Sequence, residues 1–181
     1  MSRLPWYGDR VTPEEMLKRG YTRETSIRRD PAGRWFDGEE RIAHDNLVRS
    51  FERWIDRAPD GRFCLKNDIH WVYATIEGAP YFVRSVTIEG DQVRLHLSGD
   101  RVEILDPHTL RTAPDDSLWC DVLEGRVPAR FENHATTQLA PLLVEQGLAM
   151  ALVIGGETIE PPRVDDPMAG WDPSKGHVES A

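Results

Sequence analysis

The sequence predicts an α+β protein of two small duplicated lobes, an antiparallel β-meander with covering helices. Three observations carry that expectation. Between Ile69 and Leu105 four β-type runs follow one another: Trp71–Ile76, Tyr81–Ile88, Gln92–Leu97 and Arg101–Leu105, separated by Glu77-Gly78-Ala79-Pro80, Glu89-Gly90-Asp91 and Ser98-Gly99-Asp100. Short alternating runs broken by Gly- and Asp-containing turns read as a meander. Within Gln92–Leu97, Val93, Leu95 and Leu97 take one face and Gln92, Arg94 and His96 the other, so one side of the sheet is dry and needs a cover. The second observation supplies one. From about Asp45 to Arg57, Leu47, Val48, Phe51, Trp54, Ile55 and Ala58 form a single apolar stripe at helical spacing, with Arg49, Glu52, Arg53 and Asp56 opposite. The third is a weak repeat. Trp35-Phe36-Asp37 with Arg41-Ile42, then helix, then strand, matches the order of Trp119-Cys120-Asp121 with Arg126-Val127, then helix, then strand.

Taken in order, the chain opens with a polar segment whose one helix signal is the capping box Thr12-Pro13-Glu14-Glu15, stopped at Gly20. That helix is about two turns long and needs a body or a partner to pack on. Gly33–Gly38 is a short strand entering a turn, and Glu39–Ile42 returns. Pro59-Asp60-Gly61 ends the amphipathic helix and leads to the strand Arg62–Lys66. Beyond the meander, Ser117–Leu123 is a strand that turns at Glu124-Gly125. A second helical region is expected from about Ala129 to Gln146, broken at Pro141, whose ring would clash with the carbonyl of Thr137. Ala149–Ile154 and Glu157–Glu160 are strands around Gly155-Gly156, and the Pro-, Asp- and Gly-rich remainder reads as a disordered or loosely draped tail. The implied organisation is a polar segment 1–27, a first lobe 28–84, a second lobe 85–162 and a flexible tail 163–181.

Totals exclude several classes. The 181 residues suit one domain or two small ones in contact, and 29% charged with 39% hydrophobic is a globular composition. A net charge of -9 with scattered basic residues disfavours a nucleic-acid polymer as partner. No run approaches the about 18 apolar residues of a membrane span, and the start lacks the apolar core of a signal peptide. Cys64 and Cys120 lack CxxC spacing and read as buried thiols, so a cytoplasmic location is expected.

Six histidines (His44, His70, His96, His108, His134 and His177) show no metal-ligand spacing, so neither a metal nor a cofactor is expected. There is no nucleophile elbow and no phosphate loop; Gly155-Gly156 lacks the Lys-Ser/Thr that would follow. The acidic pairs Glu39-Glu40, Asp115-Asp116 and Asp165-Asp166 all fall in turns or tail, where solvated acids belong. The chain is therefore read as non-enzymatic. What remains is an aromatic and basic set at element ends: Trp35, His70, Trp71, Tyr73, His108 and Arg111. Aromatic faces stack bases and Arg or His holds phosphate, whereas the same residues also serve as core Trp and rim charge.

In order, Arg34-Trp35-Phe36-Asp37-Gly38 with Arg41-Ile42, Leu47-Val48-Arg49, Asp60-Gly61-Arg62-Phe63, Ile76-Glu77-Gly78-Ala79-Pro80-Tyr81 and His108-Thr109-Leu110-Arg111 resemble the bacterial family known as domain of unknown function 1285. The resemblance spans roughly Arg28 to Pro162. It implies two duplicated α+β lobes, the second superficially pleckstrin-homology-like, with a site for a nucleotide-like ligand between them and a role in signal transduction. Where the family carries a Glu-Lys pair and an Arg before its Glu-Asp-Ala-Pro-Phe turn, this chain has His70, Trp71 and Tyr73. The family's His-Pro-Leu-Arg becomes His108-Thr109-Leu110-Arg111. Carried over are His108, Arg111 and Glu77.

The expected function is a non-enzymatic ligand-binding or regulatory module. An acidic or nucleotide-like small molecule would be held between the lobes by Arg111 and His108, with Trp71 or Tyr73 stacking and His70 and Glu77 nearby. A protein-interaction module that binds a partner along a sheet edge is the first alternative. A small hydrolase built around His70 or His108 and a carboxylate is the second.

Overall fold

The computed structural model describes Gly20 and residues 22–146 and 149–169. The helix expected after Thr12 lies outside the described residues. In chain order the strands are β1 Ile27–Arg29, β2 Trp35–Asp37, β3 Glu40–Ile42, β4 Ile55–Arg57, β5 Phe63–Lys66, β6 Trp71–Tyr73, β7 Thr75–Ile76, β8 Tyr81–Glu89, β9 Gln92–Leu97, β10 Arg101–Ile104, β11 Arg111–Thr112, β12 Leu118–Val122, β13 Val127–Phe131, β14 Leu143–Gln146, β15 Ala149–Ile154 and β16 Glu157–Ile159. Two α-helices stand among them in the described residues, α1 Asp45–Trp54 and α2 Asn133–Gln138. The architecture is thus α+β and mostly sheet.

Four sheets form, ordered β3-β2-β1-β7, β4-β5-β6, β10-β9-β8-β13-β12-β11 and β14-β15-β16. The six-stranded sheet is the frame. Its strands are antiparallel except where β8 runs parallel to β13, with Ala129 opposite Tyr81 and Phe131 opposite Val83. Val93, Leu95 and Leu97 face inward from β9 as their alternation requires. One apolar cluster collects Ile27 and Phe51, Leu65 and Val72, Tyr81 and Leu95, Val127, Leu139 and Leu152, so all four sheets contribute to it. β8 crosses position 84, where the sequence divides the lobes, and the two expected lobes share that strand.

Three expectations need correction. The meander has three members, not four, because Trp71–Ile76 divides at Ala74. β6 pairs with β5, placing Val72 opposite Leu65, and β7 pairs in parallel with β1, placing Ile76 opposite Arg29. The amphipathic helix ends at Trp54 rather than near Arg57. The carbonyl of Arg53 accepts from the Arg101 guanidinium and the Tyr81 hydroxyl, and that hydroxyl also donates to the carbonyl of Ile55. Those donors satisfy carbonyls that a further turn would have used. The chain then continues as β4, with Ile55 opposite Leu65 and still buried.

The third correction concerns residues 129–146. Ala129–Phe131 is strand, α2 is six residues, Ala140–Leu142 is a 3-10 turn carrying Pro141, and Leu143–Gln146 is strand. Pro128 precedes the residues that pair with β8, so its missing N–H leaves that ladder intact. The proline break falls where the sequence placed it.

Of the tail, residues 161–169 are seated. Thr112 N–H donates to the carbonyl of Pro162 (2.8 Å) and Val164 N–H to that of Thr112 (2.9 Å). Met168 packs on a second small cluster of Ala79, Ala113 and Trp119. Cys64 and Cys120 are free and buried, and burial pushes the Cys64 thiol up to about 12 and Cys120 up as well.

Gly99, in the turn after β9, lies against the last turns of α1. A Cβ there would sit 2.7 Å from the carbonyl oxygen of Glu52, at a φ of +73°. Gly38 has a φ of +60° with nothing near it. Gly99→Ala is therefore expected to cost more in urea unfolding than Gly38→Ala, about 3 kcal/mol against about 1 kcal/mol. Equal losses would show that the turn yields without strain.

Candidate functional site

The residues singled out by the sequence fall into separate places. Arg111, on edge strand β11, gives its donors to the protein itself: Nε and one Nη to the carbonyl of Pro167 (2.9 and 2.6 Å), the other Nη to that of Thr109 (3.0 Å). It also forms an ion pair with Asp121 at 2.7 Å. His108 is exposed, 3.4 Å from Glu157. Glu77 is exposed in the turn before β8, its N–H donating to the carbonyl of Arg29.

Trp71 and Tyr73 sit on β6. Arg23 lies 3.8 Å over the Trp71 ring and Arg62 lies 3.3 Å over the Tyr73 ring. The two rings meet edge-on at 5.1 Å. The Tyr73 hydroxyl donates to Asp60, which raises the tyrosine pKa and lowers that of the acid. His70 borders a crevice of about 10 Å³ between Trp54, Leu65 and Trp71, too small for a nucleotide. Arg111 is engaged with Thr109, Asp121 and Pro167 and His108 with Glu157, whereas Tyr73 is engaged with Asp60, Arg62 and Trp71. The described side chains of the expected clamp are thus bound to separate partners.

A different set does converge. Phe82, Arg130, Phe131, Glu132, Asn133 and His134 line an open groove of about 420 Å³ where β8 and β13 run parallel and the chain leaves for α2. Alternation builds it. Tyr81 and Val83 are buried on β8, as are Ala129 and Phe131 on β13, so Phe82 and its register partner Arg130 face outward side by side. The ladder between β8 and β9 shifts between Val83 and Ser85, and this bulge aims Arg84 at Glu132, with which it forms an ion pair. Arg130 pairs with Asp115 at 3.0 Å. Bonds from the Ser117 hydroxyl and backbone N–H hold Asp115 below the usual carboxylate range.

Beneath the groove is a buried charge. The Arg29 guanidinium lies 5.4 Å from the Phe82 ring centroid and Arg84 5.6 Å from it. Arg29 Nε donates to Glu52 (2.9 Å) and one Nη to the carbonyl of Ala79 (2.8 Å). The Trp35 indole N–H donates to the same Glu52 oxygen (2.9 Å). Trp35, an aromatic at an element end in the sequence, is thus fully buried and positions the acid. Among the described residues, no three His, Cys, Asp or Glu side chains cluster as metal ligands, and no helix is long and apolar enough to cross a membrane.

No protein-family model and no curated protein matches the chain. Two solved structures do. A DUF1285 family protein from Silicibacter pomeroyi DSS-3 superposes with a TM-score of 0.60 at 18% identity, over 76% of this chain and 80% of that one. A DUF1285 family protein from Shewanella baltica OS155 gives 0.52 at 12% identity, over 66% and 94%. The chain has a DUF1285-like fold. The ordered motifs from Arg34 to Arg111 pointed to this fold, and it is the order of elements, rather than retained side chains, that the likeness shows. Within the DUF1285-like fold, the roles of Phe82, Arg130 and Arg29 rest on this chain's own geometry.

Two expected outcomes follow from the geometry. Glu52→Ala leaves the Arg29 charge buried without its acid and costs about 3–5 kcal/mol in urea unfolding; a loss under about 1 kcal/mol would mean the pair is not integral. Among the described residues the Nδ1 of His70 is buried without a hydrogen-bond partner, and burial, with Arg23 nearby, lowers its pKa. Below the unfolded value of about 6.5 the unfolded chain gains a proton there and the folded chain resists it, so stability falls as pH drops through that window. His70→Gln should flatten the decline in Tm between about pH 6.5 and 5. An unchanged slope would assign the decline to other groups.

Proposed function

We propose that the protein is a non-enzymatic module that binds a nucleotide-like or acidic small molecule, and that the Phe82–Arg130 groove is the site. The observation that carries the reading is the side-by-side placement of an outward aromatic ring and a guanidinium on the parallel pair β8 and β13. Phe82 offers a face for a base, and Arg130, with Arg84 and His134 beside it, offers donors for a phosphate or carboxylate. The ion pairs Arg130–Asp115 and Arg84–Glu132 are about half exposed, and solvent-screened pairs contribute about 0–1 kcal/mol, so an anion replaces either acid at modest cost. The volume falls within the range of small-molecule sites.

The expected lobe division at 84/85 puts Phe82 and Arg84 in the first lobe and Arg130 to His134 in the second. On that division the proposed site is interlobe, as the family resemblance implies, though built from other residues than Arg111, His108, Trp71, Tyr73, His70 and Glu77. The duplicated lobes, the pleckstrin-homology-like character of the second and a role in bacterial signal transduction belong to the same proposal. The weak repeat supports the first of these, and the family resemblance alone implies the other two.

A thermal-shift screen against AMP, cyclic dinucleotides and acidic metabolites tests it. A ligand at about 100 times its dissociation constant adds about 2.7 kcal/mol to the folded state. Arg130→Ala is expected to abolish the shift and His108→Ala to leave it; a shift that survives Arg130→Ala would put the site elsewhere. A flat screen would favour the protein-interaction module, for which Val102 and Ile104, exposed on edge strand β10, are the supporting observation.

A further inference from the structure

The sequence singled out Arg111 for a ligand, and the structure gives it another occupation. Its guanidinium, largely buried, holds the carbonyl of Pro167 with two donors while Asp121 neutralises it from below. The segment it grips, residues 161–169, lies along β11 with its own backbone bonds through Pro162 and Val164 and a bridge from Arg163 to Thr112. It has the form of a strap: one edge ladder, one latch and one apolar anchor, Met168.

Two routes lead from this strap to the groove. The first is apolar. Met168 packs on the cluster of Ala79, Ala113 and Trp119, and Phe82, the groove's ring, packs on the same cluster from the groove side. The second is polar and runs through the turn after β11. Arg163 of the strap pairs with Asp116 (2.7 Å) and donates to the carbonyl of Pro114 (2.8 Å), while the adjacent Asp115 pairs with Arg130 of the groove. Asp116 itself is held at a φ of +61°, so this turn has one demanding conformation rather than many. Both groove residues that the ligand reading depends on, Phe82 and Arg130, are thus positioned by groups that the strap contacts.

We propose that residues 161–169 are a strap latched by Arg111 whose seating organises the groove, so that strap closure and ligand binding favour each other. The ligand half of this statement rests on the groove reading above; the latch does not. A seated strap fixes the Phe82 wall and the Asp115 turn before the ligand arrives. A released strap leaves that ordering to be done at the moment of binding, which weakens affinity without removing any ligand contact.

The test uses the full chain, backbone amide hydrogen exchange at Val164 and Thr112, and AMP as probe. Arg111→Ala, and independently Met168→Ala should the first variant fold poorly, are expected to speed exchange at both amides and to weaken AMP binding about tenfold. Saturating AMP is expected to slow the same exchange in the wild type. Arg130→Ala removes AMP binding, so in that variant AMP no longer slows the exchange of Val164. Unchanged exchange in both strap variants would overturn the latch. Faster exchange with AMP affinity unchanged would overturn the coupling. If AMP fails to bind the wild type, the groove reading fails for this probe and the coupling with it, while exchange in Arg111→Ala still decides the latch.

Discussion

Everything near the site depends on one buried cation. Arg29 is inaccessible, and an arginine cannot shed its charge to suit such a place, so the protein must surround it with acceptors. Glu52 from α1 supplies the counter-charge, the carbonyl of Ala79 the next acceptor, and the Trp35 indole fixes the acid from the other side. Four pieces of chain, β1, β2, α1 and the turn before β8, are thereby tied at one point. An apolar substitute would avoid the desolvation cost, but it would not specify how these pieces meet. Glu52 is also where α1 touches the turn at Gly99, so the helix is located by charge on one side and by close backbone approach on the other.

From that point the position of the groove follows. The turn held by Arg29 starts β8, and β8 is the strand shared by the two expected lobes. Its neighbour β13 runs parallel, so both strands present the same end to α2 and its preceding residues. The bulge at Arg84 falls at this place, and the Gln138 side chain of α2 accepts from the N–H of Val86 just beyond it. An irregular ladder, a change of strand direction and a helix start coincide there. Such junctions leave concavities that regular sheet does not.

The sequence showed the strands of β8, β9, β10, β12 and β15 plainly, because alternation and glycine turns are local signals. It showed the amphipathic helix for the same reason. What it could not show were choices made by distant partners. Trp71–Ile76 has the composition of one strand, and only the competing edges of β5 and β1 divide it. Val127–Phe131 sits beside a genuine helix, and its pairing with β8, over forty residues away, makes it strand. The groove was missed through that second error, since Arg130 read as helical has no reason to stand beside Phe82. A signal exists in the alternation: Phe82 and Arg84 fall on the polar face of the strand, where a large ring needs a reason. Arg111 was noticed for its charge near an element end, and charge near an element end is equally what a chain uses to hold its own tail.

The overall charge of -9 does not oppose the proposed anion site, because the two act over different distances. At physiological ionic strength the screening length is about 8 Å, so the many surface acids reach the groove weakly. The cations of the groove act at contact. Arg84 and Arg130 each pair with an acid that keeps part of its surface in solvent, and in the proposed site that acid would stand where an anionic ligand binds. Arg29 differs in kind: it is itself buried, and its acid is shared with Trp35. The protein thus separates a buried cation that ties the strands and helix together from cations whose ion pairs reach solvent, and burial is what distinguishes them.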